Sequence, residues 1–252
     1  MSAKIEIVVP MAGAGSRLAG QSTLAKPLIP VAGNRLMIDL VIDYLRLPVP
    51  SRFTFVGRAD RDAVHPYRPY LAHQGIDYQL LLAPSLTPGP VATTLVAEAS
   101  VDPSSELLIA YCDGFLSIDV MDFIECMRDE DAAAGAVVYP SSNPTDGYAE
   151  LDSSGRILRT AEKEMISPTA TSCLFYFRRA ADYFEAAHAT AEQGKWATRE
   201  LFVSSTLNHV IQAGRPVLSY PIAHAQQIDM GSPATLDRAR VRVTEGALEA
   251  AL

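Results

Sequence analysis

The chain has 252 residues, 48% of them hydrophobic, and a formal net charge of −8 at pH 7, enough apolar mass to bury a substantial core in a single domain spanning 1–252. The acidic balance, with a pI near 5.1, excludes a general nucleic-acid or membrane-surface binder, because both need a broad basic face. Cys112, Cys126 and Cys173 lack metal-ligand spacing and fit core packing in a reducing cytoplasm, not a disulfide framework.

The predicted elements begin with an apolar strand over 5–9. Lys4 ahead of it imitates a signal peptide, but Glu6 and Pro10 interrupt the run, and no apolar segment reaches the roughly eighteen residues of a membrane span. Next comes a small-residue turn, Ala12-Gly13-Ala14-Gly15-Ser16-Arg17, and then Ala25-Lys26-Pro27. Glycines at 13 and 15 let backbone N–H groups approach polyphosphate oxygens without a Cβ in the way, and Arg17 and Lys26 bring the charge that a nucleoside triphosphate demands. Two other glycine loops are excluded by counting. A P-loop closes on Gly-Lys-Ser/Thr, whereas Ser16-Arg17 follow Gly15; a dinucleotide fingerprint needs a third glycine where Leu18 stands.

Further along, Asn34 is expected to cap a helix in which Met37, Leu40, Val41, Tyr44 and Leu45 recur at threes and fours. Apolar, β-branched runs at 53–56, 78–82, 107–111 and 136–139 alternate with helical patterns at 60–72, 91–99 and 120–128. Such alternation implies a mainly parallel sheet covered by helices on both faces, with ligands beyond the carboxyl ends of the strands, where residues 13–17 and Cys112-Asp113-Gly114 both lie. The texture then changes. Strands at 148–151 and 156–159 flank a hairpin signal, Asp152-Ser153-Ser154-Gly155, and another strand is expected over 171–177, making an antiparallel extension. Helices over 179–193 and 197–212, a strand over 217–221, a closing helix from Pro233 and a frayed end over 245–252 complete the chain.

The string VVPMAGAGSRLAGQSTLAKPLIPVAG closely resembles the start of the sugar-1-phosphate nucleotidyltransferases, the nucleotide-sugar pyrophosphorylases, whose signature is Gly-x-Gly-Ser/Thr-Arg, a variable loop and Lys-Pro. It is most similar to the small, single-domain members of capsule and surface-polysaccharide synthesis. The likeness continues through Gly89 and Thr93 in TPGPVATTL, Asp113, Gly147 in DGYAELD, Glu162-Lys163 and Asp229 in QQIDMGSPATL. It implies an α/β fold of the nucleotide-diphospho-sugar transferase type, a Rossmann-like, GT-A-like mixed sheet sandwiched by helices with a small antiparallel extension.

The implied reaction joins a nucleoside triphosphate to a sugar 1-phosphate or similar small phosphorylated metabolite, with release of pyrophosphate. A phosphate-monoester nucleophile is already anionic, so catalysis consists of aligning two repelling polyanions and neutralising charge. By this resemblance Arg17, Lys26 and Lys163 are catalytic, and Asp113 and Asp229 hold Mg²⁺, whose hard-oxygen chemistry suits carboxylates and retained water. Ala12, Gly13, Ala14, Gly15 and Ser16 cradle phosphate, and Gly89 and Thr93 approach the base and ribose. Gly147, Glu162 and Thr171 face the acceptor, with Glu162 bonding sugar hydroxyls. Each short motif has a plainer reading: a turn for Asp113-Gly114, a helix N-cap for Asp229, a solvated ion pair for Glu162-Lys163, a helix start for Gly89 and Thr93. One departure concerns the acceptor, since the family follows its lysine with proline where Glu164 stands. That carboxylate would repel a phosphate or recognise an amino group.

Tyr111 and Trp196 read as packing aromatics, and His65, His73, His188, His209 and His224 show no metal-ligand spacing. Two rival functions stay open. A related glycosyltransferase would consume a nucleotide-sugar, but it usually carries Asp-x-Asp where this chain has Asp113-Gly114-Phe115; a non-catalytic paralogue would have lost the charged positions that are all present here. Nucleobase, acceptor and any association of identical copies stay open at this stage.

Overall fold

The computed structural model describes residues 4–20, 22–192 and 200–244. The chain opens with β1 (Ile5–Pro10), a loop, a short ribbon of β2 (Pro30–Ala32) and β3 (Arg35–Leu36), and α1 (Met37–Tyr44). Then follow β4 (Ser51–Arg58), α2 (Ala59–Val64), α3 (Arg68–Leu71), β5 (Tyr78–Ala83), α4 (Pro90–Leu95), β6 (Leu107–Ala110), β7 (Gly114–Leu116) and α5 (Val120–Asp129). The second half runs β8 (Ala134–Pro140), β9 (Gly147–Leu151), β10 (Ile157–Glu162), β11 (Thr169–Phe177), α6 (Ala180–Glu192) and α7 (Val203–Gln212). It closes with β12 (Val217–Pro221), β13 (Gln227–Asp229) and α8 (Pro233–Thr244).

The main sheet runs β10-β9-β11-β6-β1-β4-β5, with β8 and β12 joined to it through β11. β1 is parallel to both β4 and β6, β4 to β5, and β12 to β8, while β11 runs antiparallel to β6, β8 and β9. The expected mainly parallel sheet with an antiparallel extension is therefore what forms. β1 shows why helices cover both faces: Ile5, Ile7 and Val9 enter one apolar layer with α1, α5 and α8 residues, and Val8 enters the other with α4, α6 and α7 residues. A strand apolar on both sides must be covered on both sides.

Local signals failed in four places. The helix expected over 91–99 ends at Leu95 and is followed only by a 3-10 turn over Glu98–Ser100. Asn34 lies in the β2–β3 turn, and the α1 terminus is satisfied by the Asp39 carboxylate accepting the Leu36 N–H at 2.7 Å. The helix expected over 60–72 breaks into α2 and α3 at His65-Pro66, because proline disfavours helical backbone in the residue before it and cannot donate to the helix. The helix expected from 197 begins at Val203; residues 197–199, Trp196 and the expected end over 245–252 lie outside the described residues. No helix among the described residues is long and apolar enough to cross a membrane.

Candidate active site

Beyond the carboxyl ends of β1 and β6 the chain leaves a cleft of about 1300 Å³. Its first wall is Arg17 from the loop after β1; residues 12–16 and Lys26 of that loop stand outside the lining. Gly15 takes a left-handed conformation, φ 64°, and turns the chain into a single 3-10 turn over Ser16–Leu18 that carries Arg17 into the cleft. Among the described residues, the backbone N–H groups of residues 12–16 donate to no protein acceptor. A Cβ on Gly13 would meet nothing within 4 Å. Gly13, Ala14 and Ser16 of this run are exposed, so the loop offers free donors to solvent, the arrangement that binds phosphate oxygens.

The second wall is assembled from distant sequence. β7 and β13 form a two-stranded antiparallel ribbon that sets Asp229 opposite Gly114, and the Met230 N–H bonds the Asp113 carbonyl at 2.8 Å. Both aspartates then crowd Gly231. A Cβ there would lie 2.8 Å from Asp113 Oδ2, 3.0 Å from Asp229 Oδ1 and 3.1 Å from Arg17 Nη2. The Asp229 carboxylate also accepts the Gly231 N–H at 2.9 Å, and α8 begins further on at Pro233, so Asp229 is not that helix's cap. Lys26 completes the group by ion-pairing with Asp113 Oδ2. Burial works to raise the Asp113 carboxyl, but the Lys26 ammonium and the Arg17 guanidinium outweigh it and hold it below the usual range. Asp229 is pushed up, by burial and then by the Asp113 carboxylate.

The third wall lies on β9, β10 and β11. Register places Glu162 opposite Gly147, and the Thr171 hydroxyl donates to the Gly147 carbonyl at 3.4 Å. A Cβ on Gly147 would sit 2.5 Å from Glu162 Oε1 and 2.9 Å from Thr171 Oγ1, which is why glycine stands there. The Ser204 hydroxyl donates to Glu162 from α7. Burial raises the Glu162 carboxyl to about 7 against the opposing effects of Ser204 and Lys163.

Arg17, Asp113, Asp229, Gly147, Glu162 and Thr171 therefore line one cleft. Lys163 stands at its margin, exposed, with a left-handed φ of 56°; its ammonium lies 3.3 Å from Glu200 and 5.2 Å from the ring centre of cleft-lining Phe202. Glu164 is exposed and off the cleft wall. Gly89 and Thr93 are also off it. A Cβ on Gly89 would lie 2.4 Å from the Leu201 backbone nitrogen, and the buried Thr93 hydroxyl bonds the Thr87 hydroxyl at 2.6 Å and donates to the Gly89 carbonyl at 3.1 Å. Tyr111 packs on Phe175 with ring centres 5.8 Å apart and also lines the cleft. Cys112 is buried with its thiol pushed up to about 12 by burial, as a packing residue should be and a nucleophile should not.

Two residues that shape the cleft carried little or no sequence signal: Asp146, which lines it, and Ser204, which holds Glu162. Asp146 accepts from Tyr139 Oη at 2.9 Å, Ser141 Oγ at 2.7 Å and Asn143 Nδ2 at 2.8 Å, and its carbonyl accepts the Lys163 N–H at 3.0 Å, so it holds the turn before Gly147. The only signal was Asn143-Pro144-Thr145-Asp146 as turn chemistry. Ser204 carried none.

Among the described residues no group of three or more His, Cys, Asp or Glu side chains gathers to cage a metal. Two carboxylate oxygens within about 3 Å of one point, as the Gly231 geometry shows, nevertheless fit a hard divalent cation that keeps water and takes further oxygens from phosphate.

The family described as nucleotidyl transferase matches residues 7–246. No curated protein gives a significant sequence match. Among solved structures, the fold is similar to that of a nucleoside-diphosphate-sugar pyrophosphorylase from Vibrio cholerae RC9, with TM-score 0.78 and 22% identity over 93% of this chain and 99% of that one. A Bacillus anthracis protein described as a glucose-1-phosphate thymidylyltransferase has TM-score 0.78 and 17% identity, covering 94% of each chain. The inositol-1-phosphate CTP transferase of T. maritima has TM-score 0.74 and 14% identity, covering 98% of each. At these identities the likeness to solved structures shows a shared fold.

Proposed function

The chain belongs to the nucleotidyl transferase family, and from that premise we propose that this enzyme, acting as a single domain, joins a nucleoside triphosphate to a sugar 1-phosphate or a similar small phosphorylated acceptor, in nucleotide-sugar supply for surface glycans. The observation that carries the reading is the convergence of Arg17, Asp113 and Asp229 around Gly231, between the free amides of residues 12–16 and the Gly147-Glu162-Thr171 wall. The loop amides and Arg17 bind the triphosphate, and Glu162, Thr171 and Lys163 bind and orient the acceptor. Gly89 and Thr93 are kept as base and ribose contacts on the strength of the sequence resemblance. An acceptor phosphate oxygen attacks the α-phosphorus, forming one P–O bond; the bond from the α-phosphorus to the bridging oxygen breaks, and pyrophosphate leaves with that electron pair. No general base is needed.

Lys26 and Arg17 neutralise the charge that develops on the transferring group and the leaving group. Asp113 and Asp229 are the residues that would hold Mg²⁺, which when bound supplies further charge neutralisation at the α-phosphoryl group. Names of proteins of similar fold supply the substrate class: nucleoside-diphosphate-sugar pyrophosphorylase, glucose-1-phosphate thymidylyltransferase, inositol-1-phosphate CTP transferase.

Pyrophosphate release, assayed with Mg²⁺ across each nucleoside triphosphate and a panel of sugar and polyol phosphates, tests the reading. The expected result is release that requires one triphosphate and one acceptor together and falls about ten- to a thousand-fold in Arg17→Ala. Release without any acceptor, or an Arg17→Ala variant as fast as the wild type, would contradict it.

A further inference from the structure

The cleft has a cationic wall that the reaction above leaves unused. α8 presents Thr235, Arg238, Ala239 and Arg242 to it, spaced three and four apart as one helix face requires. The Thr235 hydroxyl bonds the Ser232 carbonyl at 3.1 Å and acts to lower the Asp229 carboxyl, so this face starts near the aspartate pair. Arg238 stands nearly one turn further along, on the order of 5 Å down the axis. Arg242, a further turn on, donates to the backbone carbonyls of Ala225 at 2.6 Å and Gln227 at 3.4 Å. Among the described residues neither Arg238 nor Arg242 pairs with a carboxylate, although on the same helix Arg240 pairs with Asp237 at 3.0 Å.

The Arg242 end of this wall adjoins the acceptor side of the cleft through Ala225, the neighbour of His224. His224, also lining it, stacks on Tyr139 with ring centres 5.5 Å apart and planes at 23°. Tyr139 in turn donates to Asp146, the residue before Gly147. The Asp146 oxygens are already engaged by Tyr139, Ser141 and Asn143, so that carboxylate is committed within its own turn. The transferring phosphates have their partners elsewhere, in the loop amides, Arg17 and Lys26. An arginine at a cleft wall with no carboxylate of its own matches a planar or tetrahedral anion, which its fork of donors grips through two hydrogen bonds.

We propose that Arg238 recognises a second anionic group on the acceptor, a carboxylate or a further phosphate distinct from the one that attacks, with Arg242 and His224 bordering the same subsite. This rests on the reading of the cleft as a phosphorylated-acceptor site and narrows the acceptor to a doubly anionic molecule.

Calorimetric binding to the full chain without triphosphate tests it. The probes are glucose 1-phosphate, glucuronic acid 1-phosphate and glucose 1,6-bisphosphate, which share a ring and differ in the second anion. The wild type is expected to bind one of the latter two at least about tenfold more tightly than glucose 1-phosphate, and which one gains identifies the anion as carboxylate or phosphate. Arg238→Ala should bring that ratio to within about twofold of one, with Arg238→Gln, which keeps the aliphatic stem, as the second variant if alanine disturbs α8. Equal affinities for all three probes, no binding of any, or a preference that survives in the variants would overturn the inference. Discrimination that persists while no acceptor yields pyrophosphate would overturn the proposed reaction and leave the subsite standing.

Discussion

At the scale of single residues, the site is a balance of buried charge. Asp113 keeps its carboxylate because Lys26 and Arg17 outweigh burial, whereas Glu162 has no comparable counter-charge, and burial lifts it to about 7. That has a stability consequence with a definite sign. Unfolded, Glu162 ionises near its ordinary 4.5; folded, it keeps its proton to about 7, so the native state loses stability as pH rises through that window and carries the full deficit above it. Glu162→Gln removes the deficit. Relative to wild type, the variant should gain about 1–3 kcal/mol of unfolding free energy between pH 4 and pH 8, measured by urea denaturation at both. A difference that stays constant with pH would show that Glu162 titrates normally. Residues such as Gly13, Gly15, Arg17 and Lys26 were legible in the sequence because turn chemistry and positive charge lie within one short stretch. Asp146, Ser204 and Arg238 were not, since each gains its meaning from partners folded against it from elsewhere in the chain.

Elements decide which of those residues meet. The β7–β13 ribbon is only three residues on each side, too short to show a hydrophobic period, yet its register brings Asp229 to Asp113. Sequence order hinted at both aspartates; their juxtaposition is a product of this pairing. The hairpin around Gly155, φ 83°, was readable from its turn residues, and it aligns β9 and β10 so that Gly147 faces Glu162. Gly147→Ala would push a methyl to 2.5 Å from Glu162 Oε1 and 2.9 Å from Thr171 Oγ1. With the strands fixed by their ladders, the side chains must swing away. The KM for the acceptor should rise at least about tenfold while triphosphate affinity, measured by calorimetry, stays near wild type. An unchanged acceptor KM would remove this wall from the acceptor site. Helix periodicity was equally informative except at His65-Pro66, past Leu95 and ahead of Val203, where helices break, stop early or start late.

Across the whole molecule, a sheet buried on both faces leaves only its strand ends free for chemistry, and the cleft forms there between the β1 loop, the ribbon and the antiparallel extension. Alternation of strands and helices made this architecture readable from the sequence. The shared cleft was not, because it depends on β11 bridging the parallel and antiparallel parts, with β6 on one flank and β8 and β9 on the other. On the proposed function, that bridge would set a triphosphate and an acceptor side by side. Following the oxygen that joins the two substrates tests this arrangement. With ¹⁸O placed in the acceptor phosphate and the products read by ³¹P NMR, label is expected in the bridge between the two phosphorus atoms of the new diphosphate and none in the released pyrophosphate. Label appearing in pyrophosphate, or an acceptor phosphate left unjoined while triphosphate is consumed, would contradict it.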